Sequence, residues 1–170
     1  MVLLETERLI LRNYKETDIQ DIFEYFSNEE VAKYEDFFPM TREEVKELIE
    51  DWKDKDYRMV VEKKGTGKVI GSIGYLRNEK GEFSIDYDFN PLFAKCGYAT
   101  EAGKALIQHI FQVEKIDELY AECDVLNDNS WKLLERLGFV RIREKEGDCF
   151  KNDAQGNPIL ITSCTYILRK

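Results

Sequence analysis

The sequence predicts a mixed α and β fold organised around a mostly antiparallel sheet, and three observations carry that prediction. Between residues 57 and 89, runs of strand type follow one another through short glycine-containing turns. Before and after that region, apolar residues recur at helical spacing. The chain has 170 residues, of which 43% are hydrophobic and 12% aromatic, enough for one ordinary core. A single domain over 1–170 is therefore expected, since no repeat, low-complexity tract or linker divides the chain.

The elements follow in order. Leu9-Ile-Leu-Arg12 is the first clear strand. From Asp18 to Phe26, Ile19, Ile22, Phe23 and Phe26 mark a helix, with Thr17 as the expected N-cap and Asp18 favourable in its first turn. Thr41-Arg-Glu-Glu44 is a capping box that opens a second helix, whose stripe is Val45, Leu48, Ile49 and Trp52. The aromatic stretch Tyr34 to Met40 joins the two, as a packed connection or as the cover of a pocket. Strands Tyr57 to Lys63, Val69 to Leu76 and Glu82 to Phe89 are separated by Lys64-Gly-Thr-Gly67 and Asn78-Glu-Lys-Gly81. A helix over about Tyr98 to Gln112 and a strand over Glu118 to Val125 come next. A helix from Asn129 to Leu137, stopped by Gly138, precedes strands Val140 to Glu146 and Ile159 to Leu168.

Composition narrows the function classes. The 34 acidic and 25 basic side chains give a formal charge of −9, which disfavours nucleic acid as a direct partner and favours cations. No apolar run reaches membrane-spanning length and the start lacks signal-peptide character, so a cytoplasmic location away from membranes is the expectation. Cys96, Cys123, Cys149 and Cys164 are scattered without a CxxC pair, so reduced thiols and no metal site are expected. The single histidine, His109, falls on the outer side of its helix, which argues against a Ser/His/Asp hydrolase.

Two segments concentrate chemistry. In Phe89-Asn-Pro-Leu-Phe-Ala-Lys-Cys-Gly-Tyr-Ala-Thr-Glu-Ala102 a strand ends and a helix opens with small residues. Helix starts leave N–H groups unpaired at the positive end of the dipole, where a pyrophosphate can bind, although small residues also serve close packing. In Asn127-Asp-Asn-Ser-Trp-Lys-Leu-Leu-Glu-Arg-Leu-Gly-Phe139 a strand gives way to a helix. Asn129 and Ser130 are ordinary N-cap types there, while the Asn127 amide and the Ser130 hydroxyl are available to a ligand.

Together the two segments resemble the GNAT superfamily of N-acyltransferases, and nearly the whole chain fits that order of elements. Thr6-Glu-Arg-Leu-Ile-Leu-Arg12 and Gly97-Tyr-Ala-Thr-Glu-Ala102 look most like the branch with the ribosomal-protein alanine and serine N-acetyltransferases, alongside polyamine and antibiotic acetyltransferases. The resemblance implies a twisted sheet of six to seven strands flanked by about four helices, splayed between Glu82 to Phe89 and Glu118 to Val125. It implies acetyl-CoA as co-substrate, with Phe89 and Asn90 pairing its pantetheine arm. Lys95, Cys96, Gly97, Tyr98, Ala99 and Thr100 would hold its pyrophosphate, and Asn127 would contact the arm. Ser130 would protonate the departing thiolate, with direct attack by a neutral amine of a protein N-terminus, polyamine or aminoglycoside-like acceptor. Family members are often dimers, so a homodimer is in keeping with the resemblance.

An amine must lose a proton before it attacks, so a base is needed. Asp86 and Asp88 share one strand face and are the candidates, with Glu82 farther along that face; solvated surface residues are the alternative. Ala94, Lys95 and Cys96 depart from the family's usual phosphate loop, and Lys95 would be strained if its position needs positive φ. That departure supports a second reading, a non-catalytic acyl-CoA-binding regulatory module.

Overall fold

The computed structural model describes residues 1–170. One sheet carries eight strands: β1 (Val2–Glu5), β2 (Leu9–Arg12), β3 (Arg58–Lys63), β4 (Lys68–Arg77), β5 (Phe83–Phe89), β6 (Glu118–Asp124), β7 (Val140–Asn152) and β8 (Pro158–Arg169). Their spatial order is β1-β2-β3-β4-β5-β6-β8-β7. Every neighbouring pair is antiparallel except β5 and β6, which run parallel and share a single register pair, Ser84 with Tyr120.

Helices cover both faces. On one side lie α1 (Ile19–Phe26), the one-turn α2 (Glu29–Ala32) and α3 (Arg42–Trp52); α4 (Tyr98–Val113) and α5 (Asp128–Arg136) pack with the other core. The period of two divides the strands between two cores. Met59, Val61, Ile70 and Ile73 join Ala102, Leu106 and Ile110 of α4, while Val60 and Val69 join Ile22, Tyr25, Val45 and Ile49. This explains why β3 and β4 read as nearly continuous apolar runs, as strands covered on both faces do. Each such side chain contributes about 1.5–3 kcal/mol on full burial. At the seam, the buried Arg12 guanidinium donates to both carboxylate oxygens of Asp18 at 2.7 and 2.9 Å and to Glu62 at 2.6 Å, tying β2 to the start of α1.

Several boundaries differ from expectation. β1 and α2 raise the tally to eight strands and five helices, because a four-residue strand and a single helical turn are too short to show a period. Thr17 is not a cap: a 3₁₀ turn over Glu16–Asp18 precedes α1, and the Asp18 carboxylate accepts from the Lys15 N–H at 2.8 Å and from Arg12. Thr41 and Glu44 do form the reciprocal box, with the Thr41 N–H donating to Glu44 at 2.7 Å. β7 runs six residues past Glu146, to Asn152, which brings Phe150 and Lys151 against the aromatic connection. No helix is long and apolar enough to cross a membrane.

Candidate active site

The site grows from the defect between β5 and β6. The Asn90 N–H donates to the Ile70 carbonyl at 2.9 Å, and antiparallel pairing alternates from there. The main-chain groups of Asp86 and Asp88 therefore face β4, and those of Ile85, Tyr87 and Phe89 face β6. Since β6 meets β5 only at Ser84, the Tyr87 and Phe89 groups border an open gap, an edge inside the sheet. Asn90, by contrast, is fully committed: its carbonyl accepts from Phe93, its Oδ1 from Leu92, and its Nδ2 donates to Glu24 at 3.0 Å. Of the two residues expected to pair an arm, Phe89 has main-chain groups open to the gap and Asn90 does not.

At the end of β5, Pro91–Phe93 turns the chain and the loop enters α4. Lys95 takes φ 61 and Gly97 takes φ 80, so two left-handed residues within three curl the backbone into a concave turn. The N–H groups of residues 95–100 have no protein acceptor, the ladder beginning with Glu101 donating to the Gly97 carbonyl at 3.0 Å. Cations flank this amide array. Arg8 donates to the Cys96 carbonyl at 3.0 Å and to Glu101 at 2.6 Å, and its guanidinium lies 4.6 Å from the Tyr98 ring centroid. Arg136 reaches Thr100 Oγ1 at 3.5 Å. Cys96 is exposed. Nothing in the motif Thr6-Glu-Arg8 pointed to this contact, which joins residues 88 positions apart.

Asn127, rather than Asn129 or Ser130, is the N-cap of α5: its Oδ1 accepts from the Ser130 N–H at 3.2 Å. Its Nδ2 donates to no protein group. Ser130 Oγ lies 3.0 Å from the Tyr87 hydroxyl, which also reaches the Ser130 carbonyl at 3.2 Å. Burial pushes the Tyr87 phenol up, so it stays protonated. Cys123, opposite Cys164 at 3.6 Å, is likewise held as a thiol, its pKa pushed up to about 12 mainly by burial.

The other face of β5 is acidic. Ser84, Asp86 and Asp88 line a cleft of about 700 Å³ whose walls include Phe37, Met40, Leu48, Trp52 and Phe150. Gly74, paired with Asp86, is required here: a Cβ would stand 2.7 Å from the Tyr57 carbonyl and 3.2 Å from Asp86 Oδ1. Asp86 pairs with Arg58, which stacks on Trp52 at 4.4 Å. The Asp88 carboxylate makes no hydrogen bond or ion pair with any protein group, and its Oδ1 is sealed from solvent. Burial, then the charges of Glu35 and Asp86, hold its carboxyl well above the usual range. Glu35 is pushed up to about 7 by burial and by Asp36 and Asp86. Glu35 comes from the connection after α2, held in place by Lys151 of β7, which donates to the carbonyls of Ala32 and Phe37. Sequence reasoning passed over Glu35, since only its aromatic neighbours carried a signal.

A narrow passage of about 70 Å³ connects the two faces, lined by Glu35, Asp86, Tyr87, Cys123, Asn127 and Ser130 among others. The structure thus brings Ser130, Asn127 and Asp86 to one opening, with the carboxylates on one side and the hydroxyls on the other. Asp88 stands deeper in the cleft, and Glu82 lies exposed at its outer end. His109 is half-buried on α4 and borders neither space.

Comparison with known proteins agrees with this architecture. The family model for the acetyltransferase (GNAT) domain matches residues 8–140. The chain is 32% identical over 155 residues to the "Uncharacterized N-acetyltransferase p20" of Bacillus licheniformis, covering 86% of this chain and 85% of that protein. Its fold is similar to that of a GNAT-family acetyltransferase from Bacillus anthracis, with TM-score 0.88, 24% identity and coverage of 99% and 98%. It is also similar to the ribosomal-protein-S5-alanine acetyltransferase from Vibrio fischeri, with TM-score 0.74, 21% identity and coverage of 99% and 97%. An amide-rich helix start, a sheet splayed at β5 and β6 and a family match over most of the chain lead to one conclusion: the chain belongs to the GNAT family and is an acetyltransferase.

Proposed function

We infer that the enzyme transfers an acetyl group from acetyl-CoA to a primary amine by direct attack, the two substrates meeting in the passage between β5 and β6. The observation that carries this reading is that passage, where the carboxylates of Glu35 and Asp86 and the hydroxyls of Tyr87 and Ser130 line one space. The residues present suit acetyl-CoA: six free N–H groups over residues 95–100 match a diphosphate, and the open edge at Tyr87 and Phe89 matches an extended amide-bearing arm. When bound, acetyl-CoA supplies an activated thioester, and the reaction exchanges its C–S bond for a C–N bond.

The chain's own residues handle the charges. The cleft carboxylates attract an ammonium and desolvate it against Phe37, Trp52 and Phe150. Glu35, titrating near 7, takes the amine proton directly or through water, because a base works best with a pKa near the operating pH. Asp86 stays engaged with Arg58 and serves to orient and attract. Asp88 couples to Glu35, so the pair holds a shared proton reserve. On the opposite face, Ser130 gives a proton to the leaving sulfur and is re-supplied from Tyr87, 3.0 Å away. Asn127 directs its free amide N–H into the passage as a second donor.

Calorimetric titration with acetyl-CoA, then thiol release with a panel of primary amines, tests the reading. Binding followed by amine-dependent thiol release is expected. Binding with no release across the panel would favour the regulatory module instead.

A further inference from the structure

Glu101 places an anion beside the amides that suit a diphosphate. It stands in the first turn of α4, where its N–H donates to the Gly97 carbonyl, one turn from the N–H groups of residues 95–100. Burial opposes its charge, but hydrogen bonds from Thr6 and Arg8 hold the carboxyl below its usual range, so it stays ionised. A carboxylate there suits the helix dipole but repels a phosphate. Its partners all come from the turn before β2. Oε1 accepts from Thr6 Oγ1 at 2.5 Å and from the Arg8 N–H at 2.9 Å, and Oε2 accepts from Arg8 Nε at 2.6 Å with Nη2 also at 2.6 Å. That turn is itself anchored to the sheet. The Thr6 N–H donates to the Leu9 carbonyl at 3.0 Å, the Lys64 N–H to the Arg8 carbonyl at 2.9 Å, and Lys64 Nζ to the Thr6 carbonyl at 2.7 Å.

The guanidinium held in this way reaches the loop with its remaining nitrogen. Arg8 Nη1 donates to the Cys96 carbonyl at 3.0 Å, and Nη2 lies 3.4 Å from where a Cβ on Gly97 would stand. Cys96 is the residue between the two left-handed positions, Lys95 and Gly97. A lysine is strained in that conformation and keeps it only where its surroundings over-determine the backbone. We propose that Glu101 is a positioning residue: by orienting Arg8 onto the Cys96 carbonyl, it holds residues 95–97 in their concave form before a diphosphate arrives. This inference rests on the acetyl-transfer reading for the identity of the anion, but the state of the loop is measurable without any co-substrate. Two other roles for Glu101 give different outcomes. If it acted by charge alone, its removal would strengthen CoA binding. If it served helix stability alone, its removal would lower Tm and leave the loop and the CoA affinity as they are. A positioning role predicts weaker binding although a repelling charge is gone, because CoA must then order the loop itself.

The experiment compares wild type with Glu101→Gln, Arg8→Ala and the double variant. Gln keeps the size and one acceptor of Glu101 but sets an NH₂ group against the Arg8 donors. In calorimetric titration with CoA, Glu101→Gln should raise Kd about fivefold, the scale of one lost contact. The double variant should also lose about fivefold, not the roughly twenty-five-fold product, since both residues act through one contact. The KM for acetyl-CoA should rise by more than kcat falls. In CoA-free protein, tryptic nicking after Lys95, read by mass spectrometry, should quicken about fivefold in Glu101→Gln as the loop loosens. A cooperative melt well above the assay temperature separates this from misfolding. Should Glu101→Gln fail to fold, Arg8→Ala, which keeps the Thr6 bond to Glu101, should quicken nicking by the same factor. Equal or tighter CoA binding by Glu101→Gln, multiplied losses in the double variant, or unchanged nicking after Lys95 would each overturn the positioning role while leaving acetyl transfer intact. If the wild type binds no CoA, the transfer reading fails. The nicking comparison then decides alone: faster cleavage upholds the role of Glu101, and equal cleavage overturns it.

Discussion

β5 borders two regions of opposite character. Where it ends, left-handed Lys95 and Gly97 expose a row of N–H groups beside Arg8 and Arg136, and the local field is positive. In its middle, one face carries Asp86 and Asp88 into a cleft with Glu35 and Asp36, and the field is negative. Two environments of opposite electrostatic character thus stand within a few residues of one strand. On the proposed function, the difference teaches how an acidic protein would accommodate an anionic co-substrate: backbone amides and a few arginines would attract phosphate, leaving side-chain acidity to serve a cationic partner.

The largest effect is expected on the acidic side. Glu35→Gln should lower kcat about 100-fold near neutral pH, the scale of a lost general base. The sign of the pH dependence follows from its raised pKa. Below about 7 Glu35 is protonated and cannot accept a proton, so wild-type kcat/KM should climb as pH rises through about 7. The variant should lose that limb, and a profile identical to wild type would remove Glu35 from the chemistry. Next in size, Ser130→Ala should reduce kcat roughly tenfold or more while the Kd for acetyl-CoA stays within about twofold, since only the departing sulfur loses its donor. Steady-state kinetics beside calorimetry checks this split.

Smaller effects belong to the positive side. Arg8→Ala removes the contacts to Cys96 and Glu101, and CoA should bind about fivefold more weakly at low salt, with the difference shrinking as salt is raised. Lys95→Gly should act in two directions. Relief of a left-handed lysine should stabilise the fold by about 0.5–1 kcal/mol, seen as a higher Tm, while loss of its charge slightly weakens CoA binding. A lower Tm would mean that Lys95 makes stabilising contacts that outweigh its backbone strain.

Periodicity placed four helices and seven strands within a few residues, because both faces of β3 and β4 are buried and their apolar runs are long. The strained geometry at Lys95 was legible too, through the glycine-poor loop. What the chain did not disclose is non-local. Glu35 matters because α2 and the β7 extension fold its connection over the cleft, with Lys151 bonding to carbonyls more than a hundred positions away. Tyr87 meets Ser130 only because β5 and α5 share a face. Asn90 looked free to meet a ligand, yet all its polar groups are spent on β4, α1 and its own turn. Pairing of that kind depends on register, which residue types alone do not reveal.

A crystal structure with CoA and a primary amine would test the separation of the two fields most directly. The account predicts the diphosphate on the N–H groups of residues 95–100, the arm paired with Tyr87 and Phe89, and the amine in the carboxylate cleft with its nitrogen beside Glu35 and Asp86. CoA phosphates bound among the carboxylates, or an amine seated at the α4 start, would contradict it.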